Sequence, residues 1–151
     1  MGRNLLEMQE MRILLLSIVL SFVFAACGRQ PTYPEPPRRG DAVAVEAEAL
    51  QPEVPVFFTY HYRGKKINFF VVKVDDRVLS FLDACARCYP AKKGYRSEKG
   101  TLVCRECNVD YPVSVLENGV GSCVPVRIAG SLDKGSYLIP VSLLERMADK
   151  F

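Results

Sequence analysis

The sequence predicts a β-rich α+β fold, a small domain of short antiparallel strands with a C-terminal helix, drawn together at a double cysteine knuckle. Three observations predict it. From Val54 onward the chain breaks into short runs of β-branched and aromatic residues separated by turn signals. Two C-x2-C pairs lie in the middle of that region. Near the C-terminus the apolar spacing changes to that of one helix face.

The elements follow in order. Val56 to Tyr62 and Ile67 to Val74 read as two strands of a hairpin around Arg63-Gly64-Lys65-Lys66. A second turn at Asp75-Asp76-Arg77 leads into Val78 to Leu82, whose alternation argues strand, and the chain then reaches Cys85. Thr101 to Val103 is a short apolar run before Cys104. Val124 to Ile128 and Tyr137 to Ile139 are further short strands, separated by a turn over Gly130 to Gly135. Ser142 and Glu145 form a capping-box pattern, after which Leu143, Leu144, Met147 and Phe151 recur on one face of a helix.

Composition bounds the rest. With 151 residues, 49% hydrophobic and 25% charged, at a formal net charge of +3, the chain suits one modest domain rather than a multidomain enzyme. Ten Gly and ten Pro exclude a collagen-like or wholly disordered chain. Ile13 to Phe24 is apolar apart from Ser17 and Ser21 and ends in Ala25-Ala26-Cys27. That run is shorter than the roughly 20 apolar residues a membrane-spanning helix needs, and it matches a signal-peptide core. Small residues before a cysteine resemble a lipobox, so residues 1–26 are read as a lipoprotein signal peptide and Cys27 as the lipidation site. An uncleaved anchor helix is the competing reading. Glu7 and Glu10 in the leading segment suit translation from Met11, with Arg12 as the signal's charge. Residues 27–53 then read as a Pro/Ala/Glu-rich tether that holds the domain, residues 54–151, off the membrane. The expected location is the bacterial cell envelope, lipid-anchored and facing the periplasm or exterior.

The outlier is cysteine, with six in the chain. Cys85-Ala-Arg-Cys88 and Cys104-Arg-Glu-Cys107 stand fifteen residues apart. Two residues between cysteines let both sulfurs point at one centre while the intervening amides donate to the thiolates, and two such turns complete a tetrahedral four-sulfur site. Each pair follows a short apolar run, the pattern of strand and knuckle found in zinc ribbons and rubredoxin-type iron sites. Cys123 is left over as a fifth ligand, a ligand to a second metal or a free thiol. Two readings compete: a disulfide framework, natural in an exported protein, and a thioredoxin-like redox motif, for which no βαβ unit is visible. Within the metal reading, iron and structural zinc both stay open.

From Ala86 to Arg105 the chain carries Arg87, Lys92, Lys93, Arg96, Lys99 and Arg105 against Glu98 alone. Cations there favour thiolates and offset a negative metal-thiolate centre. A solvated basic loop, attracted to anionic lipid, is the plainer alternative. Nucleic acid is not an expected partner for an exported lipoprotein.

The region from Val54 to Phe151 resembles the FtrD-like membrane iron–sulfur-containing family. The matching features are the aromatic strand pair, Asp83-Ala84-Cys85-Ala86-Arg87-Cys88, Lys93-Gly94-Tyr95, Val103-Cys104-Arg105-Glu106-Cys107, and the Gly-x-Cys-x-Pro of Gly121 to Pro125. The resemblance implies a cysteine-ligated iron or iron–sulfur centre, linked with ferrous-iron uptake or membrane electron transfer, with an inner-membrane iron permease or redox protein as partner. It also implies that Cys123 falls at the family's fifth cysteine. The chain departs from the pattern at Ser122 and Val124, and it lacks the further spanning segments of polytopic members. No adjacent Arg pair marks export of folded cargo, so the metal is expected to load outside the cytoplasm, which favours a mononuclear ion over the cluster the family name implies.

The expected metal ligands are therefore Cys85, Cys88, Cys104 and Cys107, with Cys123 as a fifth. His61 is read as a partly exposed strand residue, Tyr89, Tyr95 and Tyr111 as packing around the site, and Asp83 and Glu106 as supporting groups rather than catalytic acids. No nucleophile–base pairing, phosphate loop or paired carboxylates argue for an enzyme. The sequence thus supports a membrane-tethered metal-binding module for electron transfer or iron handling, against the alternative of a zinc-stabilised scaffold that binds a partner protein.

Overall fold

A strand that is apolar on both faces must be covered on both, and the run Ile67 to Val74 is such a strand. The structure, a computed structural model, describes residues 30–118, 121 and 123–151; the expected signal segment and Cys27 lie outside the described residues. Its elements are β1 (Arg38–Arg39), β2 (Ala42–Glu46), β3 (Val56–Tyr62), β4 (Lys65–Val74) and β5 (Arg77–Cys85), followed by β6 (Tyr95–Glu98), β7 (Thr101–Cys104) and β8 (Asp110–Pro112). Then come β9 (Pro125–Ile128), β10 (Ser131–Asp133), β11 (Ser136–Pro140) and α1 (Val141–Arg146).

Three antiparallel sheets form, in the orders β3-β4-β5-β9, β1-β2-β11-β10 and β6-β7-β8. The first is the middle layer. Ile67, Phe69 and Val71 of β4, with Leu82 and Ala84 of β5, pack with Val43, Val45, Tyr137, Ile139 and Leu144. The alternate residues Phe70, Val72 and Val74, with Leu79, Phe81 and Cys85, pack instead with Tyr95, Leu102, Cys104, Val113, Leu116 and Cys123. The period of two thus sorts one continuous apolar run into two cores. It also sends Asp83 and Cys85 to the same face of β5, toward the β6-β7-β8 sheet.

The expected hairpin of β3 and β4 is present, with Thr59 opposite Asn68 and Phe57 opposite Phe70. β9 and β11 fall where strands are expected, but Gly130 to Gly135 is not one turn, since β10 pairs with β11 and leaves Lys134-Gly135 to reverse the chain. The C-terminal helix is shorter than its periodicity predicts, and the capping box does not form. Pro140 stands at the N-cap without a side-chain bond, and the Glu145 carboxylate accepts from the Tyr60 hydroxyl at 2.9 Å instead.

The tether is the main correction. Ala42–Glu46, read as solvated Ala/Glu-rich chain, is β2, paired along its length with β11 and carrying buried Val43 and Val45. Composition hid a plain alternation of Ala and Val, whose valines complete the cover over the middle sheet. Upstream, the prolines lack donors, but their carbonyls accept from the fold. Asn68 Nδ2 donates to Pro31 O at 2.8 Å, Thr59 N to Pro34 O at 3.1 Å and Ala44 N to Pro37 O at 2.8 Å. The Tyr33 ring stacks on Phe57 with centroids 5.0 Å apart.

Substitution separates a core strand from a tether. Val43→Ala should lower unfolding free energy by about 2 kcal/mol and Ile139→Ala by about 3 kcal/mol. In a solvated tether the first change would stay within about 0.5 kcal/mol of zero. Urea titration of the two variants beside the parent chain measures both.

Candidate metal centre

Cys85 closes β5, Cys104 closes β7 and Cys123 lies two residues before β9, so the cluster forms where strand ends of two sheets meet. The chain turns sharply after Cys85, and the amides of Arg87 and Cys88 donate to its sulfur at 3.4 and 3.2 Å. That is the amide-to-sulfur arrangement the C-x2-C spacing predicts. At the second pair, Cys104 N donates to Val109 O and Asn108 N to Cys104 O, both at 2.9 Å, which folds Cys107 back toward the strand end. The peptide of Ala86 donates to Val124 O at 3.0 Å and joins the first turn to the segment that carries Cys123.

The sulfurs of Cys85, Cys88, Cys104 and Cys123 all lie within 4.8 Å of one another. Cys107 joins through Cys123, its Sγ 2.9 Å from that of Cys123. The Cys123 sulfur also lies 2.8 Å from Cys85 and 3.4 Å from Cys88. Cys123, left over in the sequence, therefore holds the centre of the group, while Cys107 is the exposed member. All five are thiols, and the closest pair stands well beyond a disulfide bond of about 2.05 Å.

The donor set fits a thiophilic metal. Sulfurs around one tetrahedral ion with metal–sulfur bonds of about 2.3 Å stand about 3.8 Å apart, within the 4.8 Å the four sulfurs share. Thiolate charge is favoured at two points of the group. The Cys107 thiol is pulled down to about 7, first by the Cys123 thiol, against burial and with help from the Val109 amide. Burial opposes ionisation of Cys85, but the Cys123 thiol and the amides of Cys88 and Arg87 outweigh it and lower that group too. Burial pushes the Cys123 thiol up. Metal binding displaces such protons.

Two tyrosines expected to pack around the site do more than pack. The buried Tyr95 hydroxyl donates to Cys123 O at 2.7 Å, and the Cys123 amide donates to the Tyr111 hydroxyl at 3.1 Å. They hold the peptide of the central cysteine from both ends. Gly121 has φ +124°, and a Cβ there would sit 2.6 Å from the Tyr111 oxygen, so this glycine lets the ring reach Cys123. Tyr89 lies half-buried beside the cluster, with Lys150 Nζ 4.5 Å from its ring centre.

Asp83 supports the site from within. Its Oδ1 accepts from the Tyr95 amide at 2.6 Å, and Gln30 Nε2 donates to both its Oδ2 and its carbonyl oxygen at 2.6 Å. Burial pushes the carboxyl up to about 6, against the Tyr95 amide, Gln30 and the Arg105 charge, which favour ionisation. Glu106, by contrast, is exposed and pairs with Lys93 at 2.7 Å. His61 lies exposed on β3, its Nδ1 3.5 Å from Glu35, and joins no group of metal-ligating side chains among the described residues. Gln30 was not legible as a supporting residue, because it reaches Asp83 across 53 positions from a segment with no motif.

Gly94 connects these parts. It has φ +66°, and a Cβ there would stand 2.4 Å from Gln30 Nε2 and 2.5 and 2.6 Å from the Asp83 oxygens. Gly64 shares the left-handed conformation, at φ +76°, but opens onto empty space. Gly64→Ala should cost about 1 kcal/mol from backbone strain alone. Gly94→Ala should cost about 1–2 kcal/mol more, because it also displaces the buried carboxylate. Equal losses in urea titration would remove the carboxylate clamp from the account of the site.

Among the described residues no helix is long and apolar enough to cross a membrane. No curated protein and no solved structure matches the chain. One family does, under the description "Membrane iron-sulfur containing protein FtrD-like", and it covers residues 50–151. With its cysteine cluster at the junction of two sheets, the chain belongs to the FtrD-like family of membrane iron–sulfur-containing proteins.

Proposed function

We propose that this chain is a membrane-anchored iron protein of the cell envelope, in which cysteine thiolates hold the metal for electron transfer or ferrous-iron uptake. The observation that carries the reading is the set of four sulfurs within 4.8 Å of one another, with a fifth in contact. The family description supports iron over zinc. Bound there, iron supplies one-electron exchange between its ferrous and ferric states.

The compact set of Cys85, Cys88, Cys104 and Cys123 supplies the ligands, and the sequence expectation changes accordingly, with Cys123 taking the place given to Cys107. The sulfur spacing favours a single ion. A cubane cluster carries one thiolate at each corner and so keeps its ligand sulfurs further apart. Each surrounding group has a task. The amides of Arg87 and Cys88 withdraw charge from the Cys85 sulfur. Tyr95 and Tyr111 orient Cys123. Phe70, Leu102 and Leu116 exclude water on the inner side. Exposed Cys107 and half-buried Cys88 leave an edge through which an electron or an incoming ion can pass. Cys27, acylated, attaches the assembly to the membrane.

Metal and sulfide analysis of the full chain purified from membranes, with a visible spectrum before and after dithionite, tests the proposal. The expected result is about one iron per chain, little acid-labile sulfide and an absorption that bleaches on reduction. A colourless chain with stoichiometric zinc would favour the scaffold reading, and stoichiometric sulfide would replace the single ion by a cluster. Cys123→Ser should weaken metal retention against a chelator by more than about tenfold, whereas Cys107→Ser should change it by less than about threefold. The reverse ranking would return Cys107 to the ligand set.

A further inference from the structure

We propose that the domain does not hang from a tether but lies on the bilayer, with the cleft lined by Lys65, Lys66 and Lys92 against anionic lipid headgroups and the cysteine cluster held at the membrane surface. The inference rests on the anchoring proposed above, but not on the identity of the metal.

The first support is the reach of the chain. Gln30 is fixed by its bonds to Asp83, and Cys27 stands three residues before it. Three residues span at most about 11 Å, and the six back to Phe24 at most about 22 Å. Whether the anchor is an acyl chain on Cys27 or the apolar segment itself, the membrane begins within that reach of the Asp83 clamp. A flexible spacer long enough to lift the domain away does not exist, because residues 30–53 are built into the fold.

Charge is the second support. Beside Gln30 opens a cleft of about 490 Å³ lined by Lys65, Lys66, Lys92, Asn68 and Phe151, with no Asp or Glu among its described lining residues. Lys65 Nζ donates to Ala148 O at 2.7 Å and Lys66 Nζ to Thr32 Oγ1 at 2.8 Å, while no carboxylate among the described residues pairs with these two or with Lys92. The acids of the adjoining cavity are already taken, Glu106 by Lys93 and Asp83 by Gln30 and the Tyr95 amide. Unpaired lysines beside an anchor point are what an anionic surface attracts.

The third support is direction along the middle sheet. β4 starts at Lys65-Lys66 and runs ten residues, about 33 Å, toward the Asp75-Asp76 turn. β5 runs back beside it, Phe69 facing Leu82, so its end at Cys85 returns to the lysine end. Gln30, Lys92 and Phe151 border both the cleft and the small cavity against Cys85, Cys88 and Cys104. The anchor, the free lysines and the cluster therefore share one end of the domain, and a pair of aspartates marks the other. The redox or iron-exchange partner is then a molecule in or on the bilayer.

The chain has no Trp, which makes a single introduced Trp a clean depth reporter. The full chain carrying Ala91→Trp, beside Lys92, or Asp76→Trp, at the far turn, is reconstituted in phosphatidylcholine vesicles with or without phosphatidylglycerol. Flotation is checked first, then quenching by bromine-labelled lipid. The expected result is quenching at position 91 at least about threefold stronger than at 76 when phosphatidylglycerol is present. High salt, omission of the anionic lipid, or Lys65→Glu with Lys66→Glu and Lys92→Glu should cut that excess by about half or more. Equal quenching at the two positions, or an excess indifferent to lipid charge, overturns the proposal. A chain that does not float with the vesicles overturns it through its anchor. Iron content measured on the same vesicles separates this outcome from the metal reading, since Lys65→Glu with Lys66→Glu alone, away from the cysteines, should leave it unchanged.

Discussion

The Asp83 carboxylate is the constraint around which the site is built. A carboxylate buried to this degree is stable only if its oxygens are filled, and Tyr95 and Gln30 fill them from two different parts of the chain. One contact fixes the start of β6, and with it the tyrosine whose hydroxyl holds Cys123. The other pins the N-terminal segment. Because Asp83 shares a face of β5 with Cys85, two residues on, whatever positions the carboxylate also positions the first sulfur. Gly94 keeps the space open by carrying no side chain where one would meet the carboxylate.

The middle sheet makes this arrangement possible. Its two faces are both apolar, so it is covered by β2 and β11 on one side and by β6, β7 and β8 on the other. The second cover is thin. Three short strands and a 3-10 turn over Val113–Asn118 bury few large side chains beyond Tyr95, Leu102 and Leu116, and Cys85, Cys104 and Cys123 are part of that same small core. A metal bound there joins β5, β7 and the segment before β9, so it cross-links the layer with the least packing of its own. In the proposed reading, stability and function draw on the same sulfurs.

How much could be read beforehand differs by residue. The two C-x2-C pairs were legible because their chemistry is local: two residues set the turn, and the strands before them bring the sulfurs to one end. The hairpin of β3 and β4 was legible from alternation and a Gly-containing turn. The role of Cys123 was not, since it depends on where a segment with no regular structure crosses the other two. Nor was β2. Its valines look unremarkable among Ala and Glu until β11 is placed beside them, because pairing decides whether a weakly apolar strand is buried. The expected capping box at Ser142 failed for a similar reason, as Tyr60 offered Glu145 a better partner than a helix end could.

By itself the sequence determined the chemical kind of this protein: a β-rich domain and a set of thiols spaced for metal. Those properties follow from residue type and short-range spacing, which survive without a fold. Only the tertiary structure decided which sulfur stands at the centre, that the supposed tether is a strand and a docked strip, and that Gln30, the cleft lysines and the cluster share one end. Each of these depends on contacts between residues tens of positions apart, where the winner is set by competing packing and hydrogen-bond partners rather than by local preference.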